Sequence, residues 1–204
     1  FATRFADAVV VMSEAMADDL GRDCHVVPHG VDLDMFRPEP TEAARDRLGW
    51  RDDARYVLFP YPEGRAVKDY PRAERVVDAA RDRVDADLVL QSVEGVAHED
   101  MATYFNAADV LLLTSRREGS PNVVKEALAC NLPVVSTDVG DVRERVAGVT
   151  ASRVSDDDAD LAAGVVEAVG ADGAPDGRAA AREVGRERCT ARLIDVYRSV
   201  LDAA

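Results

Sequence analysis

Val110-Leu111-Leu112-Leu113-Thr114-Ser115-Arg116-Arg117-Glu118-Gly119-Ser120-Pro121-Asn122-Val123-Val124-Lys125-Glu126-Ala127-Leu128-Ala129 decides how this chain folds. Its first part, together with Asp109, is an apolar strand ending at Thr114. A turn follows; Ser120 then stands where a helix cap is expected, with Pro121 at the first helical position and the helix running to about Ala129. The turn carries Glu118, and the helix carries Glu126 eight residues later. This order places Glu118 at the carboxyl end of a strand, where open α/β sheets bind their ligands.

The same rhythm repeats on either side. Strands are expected at Tyr56 to Phe59 and Asp87 to Val93, and helices at Pro71 to Arg83 and Glu99 to Ala107, with a loop from Pro60 to Tyr70. Pro71 suits a first helical position because its φ is preset and it has no N–H to lose. Downstream come a strand at Pro133 to Ser136, a mixed loop, and helices at Asp158 to Val169 and Arg178 to Leu201. Asp156-Asp157-Asp158 reads as a helix cap, since a calcium loop would need a central Gly and a Glu at its twelfth position. Strands alternating with helices imply right-handed βαβ units, hence an α/β chain with a parallel sheet and helices on both faces. Nearer the start, Ala8 to Met12 reads as a strand, Ser13 as the cap of a helix Glu14 to Leu20 stopped by Gly21, and Cys24 to Pro28 as a strand entering a turn at His29 to Asp32. Residues 34–55, charged and holding Pro38 and Pro40, read as a linker with one short helix at Ala43 to Leu48, which puts a boundary near residue 38.

The 204 residues suffice for one domain, or for one domain with part of another. Apolar residues at 47 % and aromatics at 5 % describe a core of small aliphatics and exclude disorder. The carboxylates, 26 Asp and 13 Glu, face 23 Arg and only two Lys, for a net charge of -14. A surface this acidic and lysine-poor suits a cytosol at very high salt, as in a halophilic archaeon, where screening relieves self-repulsion; an ordinary acidic protein of the cytoplasm is the plainer alternative. Nucleic acid is not an expected partner, because it calls for a basic stripe. Cys24, Cys130 and Cys189 have no paired spacing and read as small buried residues in a reducing compartment. No apolar run reaches the length of a membrane span, the expected location is cytoplasmic, and peripheral membrane association leaves no mark in the sequence. The chain opens on Phe1 without a signal-like segment and is expected to begin inside a longer protein.

The turn and helix start offer an anion site. With Ser120 as cap, the amides of Asn122 and Val123, with Gly119 nearby, point out of the positive end of the helix and can hold a diphosphate without a basic surface. A plain capped helix explains Ser-Pro equally well. Glu126 lies roughly 9 Å along the helix at 1.5 Å per residue. The two carboxylates are too widely spaced for a glycosidase acid and base, and suit hydroxyl-bearing groups on either side of a phosphate. Arg65 and Lys68, in the loop after Tyr56 to Phe59, lie at the same sheet edge and can face a diphosphate leaving group. Both lysines draw notice in a chain with so few, yet the surface is lysine's common place, and that plain reading weighs more for Lys125 than for Lys68. Gly64-Arg65-Ala66-Val67-Lys68 matches neither G-x-G-x-x-G nor a P-loop, which disfavours an NAD enzyme or a nucleoside triphosphatase. No histidine belongs to a nucleophile elbow; His98 reads as a cap neighbour and His25 as structural.

Glu118 and Glu126, followed by Ala127-Leu128-Ala129-Cys130-Asn131-Leu132-Pro133-Val134-Val135-Ser136-Thr137, resemble the donor-site signature of the retaining, nucleotide-sugar-dependent glycosyltransferases of the two-domain GT-B type, family four, also called glycosyl transferases group 1. Tyr104 to Ser115 resembles the strand entering that site and Phe5 to Phe36 the interdomain passage, so the likeness covers most of the chain. It implies a Rossmann-like GT-B C-terminal domain over residues 39–204, ending in a crossing helix whose apolar face is partly uncovered, and in residues 1–38 the tail of an N-terminal acceptor domain with its linker. By position, the resemblance gives Glu118 the donor sugar hydroxyls, Glu126 the nucleotide ribose, Lys68 the diphosphate, and Gly119, Ser120, Pro121, Asn122 and Val123 a place beside sugar and diphosphate. Arg65 stands closer to the lysine than the family's arginine, His29 stands where Asn is usual, Gly140 keeps part of a double-glycine loop, and Glu144 fits the glutamate after it.

The implied activity is transfer of a glycosyl group from a UDP-, GDP- or ADP-sugar to a hydroxyl of a glycan, a lipid-linked or a small-molecule acceptor, with no metal and no resident cofactor. The missing N-terminal domain of the same protein would supply the other half of the cleft. A GT-B nucleotide-sugar epimerase or phosphorylase, and a non-catalytic nucleotide-binding domain, are the alternatives.

Overall fold

The computed structural model describes residues 6–171 and 176–203, so Phe5 of the first expected segment lies outside the described residues. At the start, β1 (Val10–Val11) and β2 (His25–Val26) pair in parallel around α1 (Glu14–Leu20). Ser13 caps α1 by accepting from the Met16 N–H at 3.3 Å, and Gly21 closes it in the left-handed region, both as the sequence predicts. The elements that follow are α2 (Thr41–Leu48), β3 (Ala54–Phe59), α3 (Tyr70–Arg81), β4 (Asp87–Ser92), α4 (Met101–Ala107), β5 (Val110–Leu113), α5 (Asn122–Ala129), β6 (Val134–Ser136), α6 (Val142–Arg145), β7 (Arg153–Val154), α7 (Asp158–Val169), α8 (Gly177–Arg182) and α9 (Arg186–Ala203). The last seven residues of the predicted α4 are helical, while its start is a short 3-10 turn at His98–Asp100. The expected cap at the triple aspartate is Asp157, which accepts from the Asp160 N–H at 2.9 Å.

Strands β3 to β7 form one sheet in the order β4-β3-β5-β6-β7, every pairing parallel. The chain lays β4 on one side of β3 and then crosses back to lay β5 on the other. The strand order therefore switches between β3 and β5, and the carboxyl ends of these two strands are where open α/β sheets place their ligand crevice. Alternate residues serve opposite faces, as the two-residue period of a strand requires. Leu58, Leu111, Leu113 and Val134 pack with Val124 and Leu128 of α5 and Phe105 of α4. Val57, Phe59, Val110, Leu112 and Val135 pack with Val76 and Val77 of α3 and Leu161 and Val165 of α7. Full burial of each such Val, Leu or Phe is worth about 1.5–3 kcal/mol, so the two-faced core holds the crevice loops on a rigid base.

Three expectations are corrected. The stretch predicted as a charged linker is packed against α4: Asn106 accepts from the Glu39 N–H at 2.7 Å, and Arg45, 5 % exposed, donates to the Ala107 carbonyl at 3.0 Å and to Asp109 at 2.8 Å. The helix α3 begins at Tyr70, so Pro71 takes its second position. The single helix predicted over Arg178 to Leu201 is two, α8 and α9, because Val31 supplies the backbone partners at the break. Its N–H donates to the Val184 carbonyl at 2.9 Å, and its carbonyl accepts from the Arg186 N–H at 2.8 Å. Gly30 permits that approach, since a Cβ there would lie 2.4 Å from the Arg186 Cα. Along α9, Ile194, Tyr197 and Leu201 stay exposed, which matches the uncovered apolar face expected of the last helix. The two-residue β7 and the four-residue α6 lie in what the sequence shows only as a mixed loop.

Candidate functional site

The loops after β3 and β5 meet at the switch point. Thr114, just past β5, donates from Oγ1 to the carbonyls of Lys68 and Asp69, each at 3.0 Å, and the Arg116 N–H donates to the Val67 carbonyl at 2.9 Å. These bonds hold a 3-10 turn, Ala66–Lys68, that aims Lys68 across the crevice. Its Nζ donates to Glu118 Oε1 at 2.5 Å, and both side chains are largely buried. The same ammonium lies 3.7 Å from the centre of the Tyr61 ring, a cation–π contact. Burial, and next the charge of Glu118, push the Tyr61 phenol well above its ordinary range. Arg65 is exposed and lies over the same ring at 5.5 Å, so the structure brings it to the rim beside Lys68 without a bond to Glu118.

The start of α5 differs from expectation by one residue. Pro121, with φ -68° and ψ 119°, is still extended and takes the cap position, and the helix begins at Asn122. Ser120 does not cap it. Its hydroxyl donates to Asp141 Oδ2 at 2.9 Å and accepts from Lys125 Nζ at 3.1 Å. The first backbone bond at this end runs from the Val124 N–H to the Pro121 carbonyl at 3.3 Å, so the amides of Asn122 and Val123 precede the intrahelical ladder. That is the positive end of an eight-residue helix at the crevice mouth.

Lys125, for which the surface reading weighed more, is 1 % exposed, and its Nζ also donates to the His29 carbonyl at 2.9 Å. Burial lowers its pKa, and Asp141 opposes the shift. Glu126 is buried as well. Desolvation raises its carboxyl pKa, against a bond at 2.8 Å between its Oε1 and His98 Nε2. His98 opens the turn before α4, as a cap neighbour would, but its ring reaches across to Glu126 and packs at 5.3 Å from Phe36.

The Gly140 turn completes the site. Gly140 has φ 57°, and a Cβ on it would lie 2.4 Å from the Gly119 carbonyl oxygen and 3.3 Å from that of Glu118. Its backbone therefore seats the Glu118 turn from behind. From the other side, a Cβ on Gly119 would meet Met12 and Met16 of the first segment at 3.4 and 3.5 Å. Glu144 points away, pairing with Arg145 at the surface. Among the expected residues, then, Lys68 and Glu118 meet directly with Arg65 over the same Tyr61 ring, Gly119 adjoins Glu118, Asn122 and Val123 open α5 after the same turn, and Glu126 lies farther along α5. Sequence reasoning missed Tyr61 and Asp141, took His98 for a cap neighbour only, and weighed Lys125 toward the surface. His98 and Tyr61 were within reach of it, because every loop that follows a strand of a parallel sheet gathers at the same edge. Cys130 and Cys189 are buried and unpaired, with the Cys130 thiol pushed up to about 12 by desolvation, while Cys24 is only half-buried.

A buried ammonium, two carboxylates and free helix amides around a switch-point crevice can hold a polar ligand that carries both hydroxyl and anionic groups. The strand order and layered helices define a Rossmann-like α/β domain. More narrowly, the chain belongs to the glycosyl transferases group 1 family, whose description matches residues 68–170. It is 32 % identical, over an alignment 239 positions long, to a D-inositol 3-phosphate glycosyltransferase of Xylanimonas cellulosilytica, covering 94 % of this chain and 57 % of the relative. A protein of the same name from Geodermatophilus obscurus is 33 % identical over 178 residues, covering 69 % of this chain and 39 % of that one. The chain thus spans about half the length of these relatives. Among solved structures, sucrose-phosphate synthase from Thermosynechococcus elongatus superposes with a TM-score of 0.76 at 21 % identity, over 98 % of this chain and 59 % of the other. HepE of Anabaena, solved with UDP and glucose, superposes with 0.70 at 16 % identity, over 97 % and 65 %. Both show the GT-B fold.

Proposed function

We propose that the whole protein transfers a glycosyl group from a nucleoside-diphosphate sugar to an acceptor hydroxyl with retention of anomeric configuration, as family-four enzymes do, and that this chain supplies the donor-binding half. The observation that carries the reading is the Lys68–Glu118 pair at the β3/β5 switch point, beside the amides that open α5. In the proposed complex the diphosphate takes Lys68, the Asn122 and Val123 amides and Arg65; Glu118 turns to the sugar hydroxyls, and Glu126 holds the ribose. The bond from the anomeric carbon to the phosphate oxygen breaks as the bond to the acceptor oxygen forms, and the departing phosphate takes the acceptor's proton. Charge growing on the diphosphate is met by fixed donors in a partly dry site, where such help is strongest. In this reading the cations and amides counter that charge, with no metal and no resident cofactor proposed.

Residues 1–38 are assigned to the tail and linker of an acceptor domain, and residues 39–204 to the donor domain. The relatives' names favour transfer over an epimerase, a phosphorylase or a non-catalytic binding domain. A UDP-sugar donor is favoured over GDP or ADP by the UDP bound in the HepE neighbour. The acidic, lysine-poor composition supports a cytoplasmic protein working at high salt, while a glycan, lipid-linked or small-molecule acceptor follows from the family resemblance alone. The test is turnover by the full-length protein, with NMR of the anomeric proton in the product. Retained configuration and loss of turnover in Lys68→Ala support the assignment; inverted product, or wild-type turnover in Lys68→Ala, overturns it.

A further inference from the structure

We propose that Lys125 is a positioning residue, the point at which the donor turn is locked to the segment preceding the sheet and to the Gly140 turn; the inference rests on the donor-site reading above. A buried charge is costly unless paired, and a Met of similar shape would fill the same space without that cost. The chain nevertheless spends one of its two lysines here, at 1 % exposure. The ammonium donates to two different segments, the His29 carbonyl at 2.9 Å and Ser120 Oγ at 3.1 Å. Accepting from Lys125 leaves the Ser120 hydroxyl proton for Asp141 Oδ2 at 2.9 Å, so the Ser120 rotor is held from both sides. Asp141 is 5 % exposed and pairs with Arg145 at 3.3 Å.

The two segments joined to the donor turn also make close backbone contacts of their own. Gly30, next to His29, packs on Arg186 at the start of α9; Gly140, next to Asp141, packs on Gly119. A displacement of residues 28–30 is therefore passed through the ammonium to Ser120, and from Ser120 to the amides that face the donor. Lys125 acts on the reaction through the pose of this turn and not by contact.

The experiment is amide hydrogen exchange on the chain with Lys125→Met, together with calorimetric titration by UDP, GDP and ADP. Three amides bonded in the joined segments are the reporters: Val31 to Val184, Val124 to Pro121 and Val142 to Val139. All three are expected to lose protection together, while the amides of β3 and β5 keep theirs. The nucleotide that binds wild type is expected to bind about tenfold more weakly, the loss that goes with one charged hydrogen bond. Asp141→Asn, which keeps the shape, is expected to give the same pattern more weakly and guards against a fold failure in Lys125→Met. A uniform rise in exchange with unchanged nucleotide affinity shows a merely structural lysine and overturns the proposal. If wild type binds none of the three nucleotides, the donor-site reading falls, and unaltered relative protection of Val31, Val124 and Val142 overturns the coupling on its own.

Discussion

Gly140→Ala should damage the site although Gly140 itself is assigned no contact with the ligand, because it displaces the turn that carries Glu118. Two costs add. With φ at 57°, an alanine is forced into the left-handed region, at about 1–2 kcal/mol. Its Cβ would lie 2.4 Å from the Gly119 oxygen and 2.9 Å from the Gly119 carbonyl carbon, both backbone atoms with no rotamer of escape. Restoring an ordinary carbon–oxygen contact of about 3.3 Å moves the Glu118–Gly119 turn by about 1 Å, and overpacking of this kind costs about 1–3 kcal/mol. The sum, about 2–5 kcal/mol, lowers the unfolding midpoint by roughly 5–20 °C for a chain of this size. A displacement of about 1 Å at a site of this kind can cost up to about a hundredfold in function. The assay is thermal unfolding and nucleotide titration in one high-salt buffer, with Gly148→Ala as control. Gly148 also has positive φ, at 75°, but a Cβ there meets nothing within 4 Å, so it bears the conformational cost alone. If Gly140→Ala is no worse than Gly148→Ala in both stability and binding, the seating of the donor turn by Gly140 is refuted.

Other expectations concern charge and the frame. Burial holds the Glu126 carboxyl above its ordinary pKa, so its bound proton favours the folded state below the ordinary carboxylate range, and that stability is lost as pH rises through the folded value. Glu126→Gln should therefore unfold at a higher temperature than wild type near neutral pH, with the gain vanishing toward pH about 4 while nucleotide binding stays impaired; a gain that does not shrink on acidification contradicts this. Arg178 donates to the carbonyls of Leu33, Phe36 and Ala129 at 2.7–2.8 Å. Chemical denaturation should show Arg178→Ala losing about 2–4 kcal/mol, with Arg178→Lys failing to restore it because an ammonium lacks the planar fork. With a net charge of -14, the unfolding midpoint should climb between about 0.1 M and molar potassium chloride, and a flat or falling midpoint would count against the screening account.

What was legible in the sequence was what local chemistry fixes. Ser13 and Gly21 bracket α1 to the residue, and Asp158–Val169 is helical over its whole predicted length, because caps and apolar spacing act within a few residues. The β3–α3–β4–α4–β5 rhythm was readable for the same reason. What was hidden depends on partners far along the chain. Ser120 looked like a cap, and its release from that role follows from Asp141, twenty-one residues later, and from a lysine folded under the helix. The break before α9 owes its backbone partners to Val31. The two-residue β7 has no alternation to detect, and Lys125 stands beside Glu126 on a helix buried from Val124 to Ala129, so no polar face marks either charge. The Lys68–Glu118 pair stands between these cases: each residue could be placed at the sheet edge from sequence, but their direct bond needs the strand order.

The most direct test of the central claim is calorimetric titration of this chain at molar salt with UDP-, GDP- and ADP-sugars, against Glu126→Ala and Lys68→Ala. The expected result is saturable binding of one of these donors, at one site, weakened in both variants. No binding of any of the three, or equal binding by wild type and both variants, would contradict a donor site at the β3/β5 crevice.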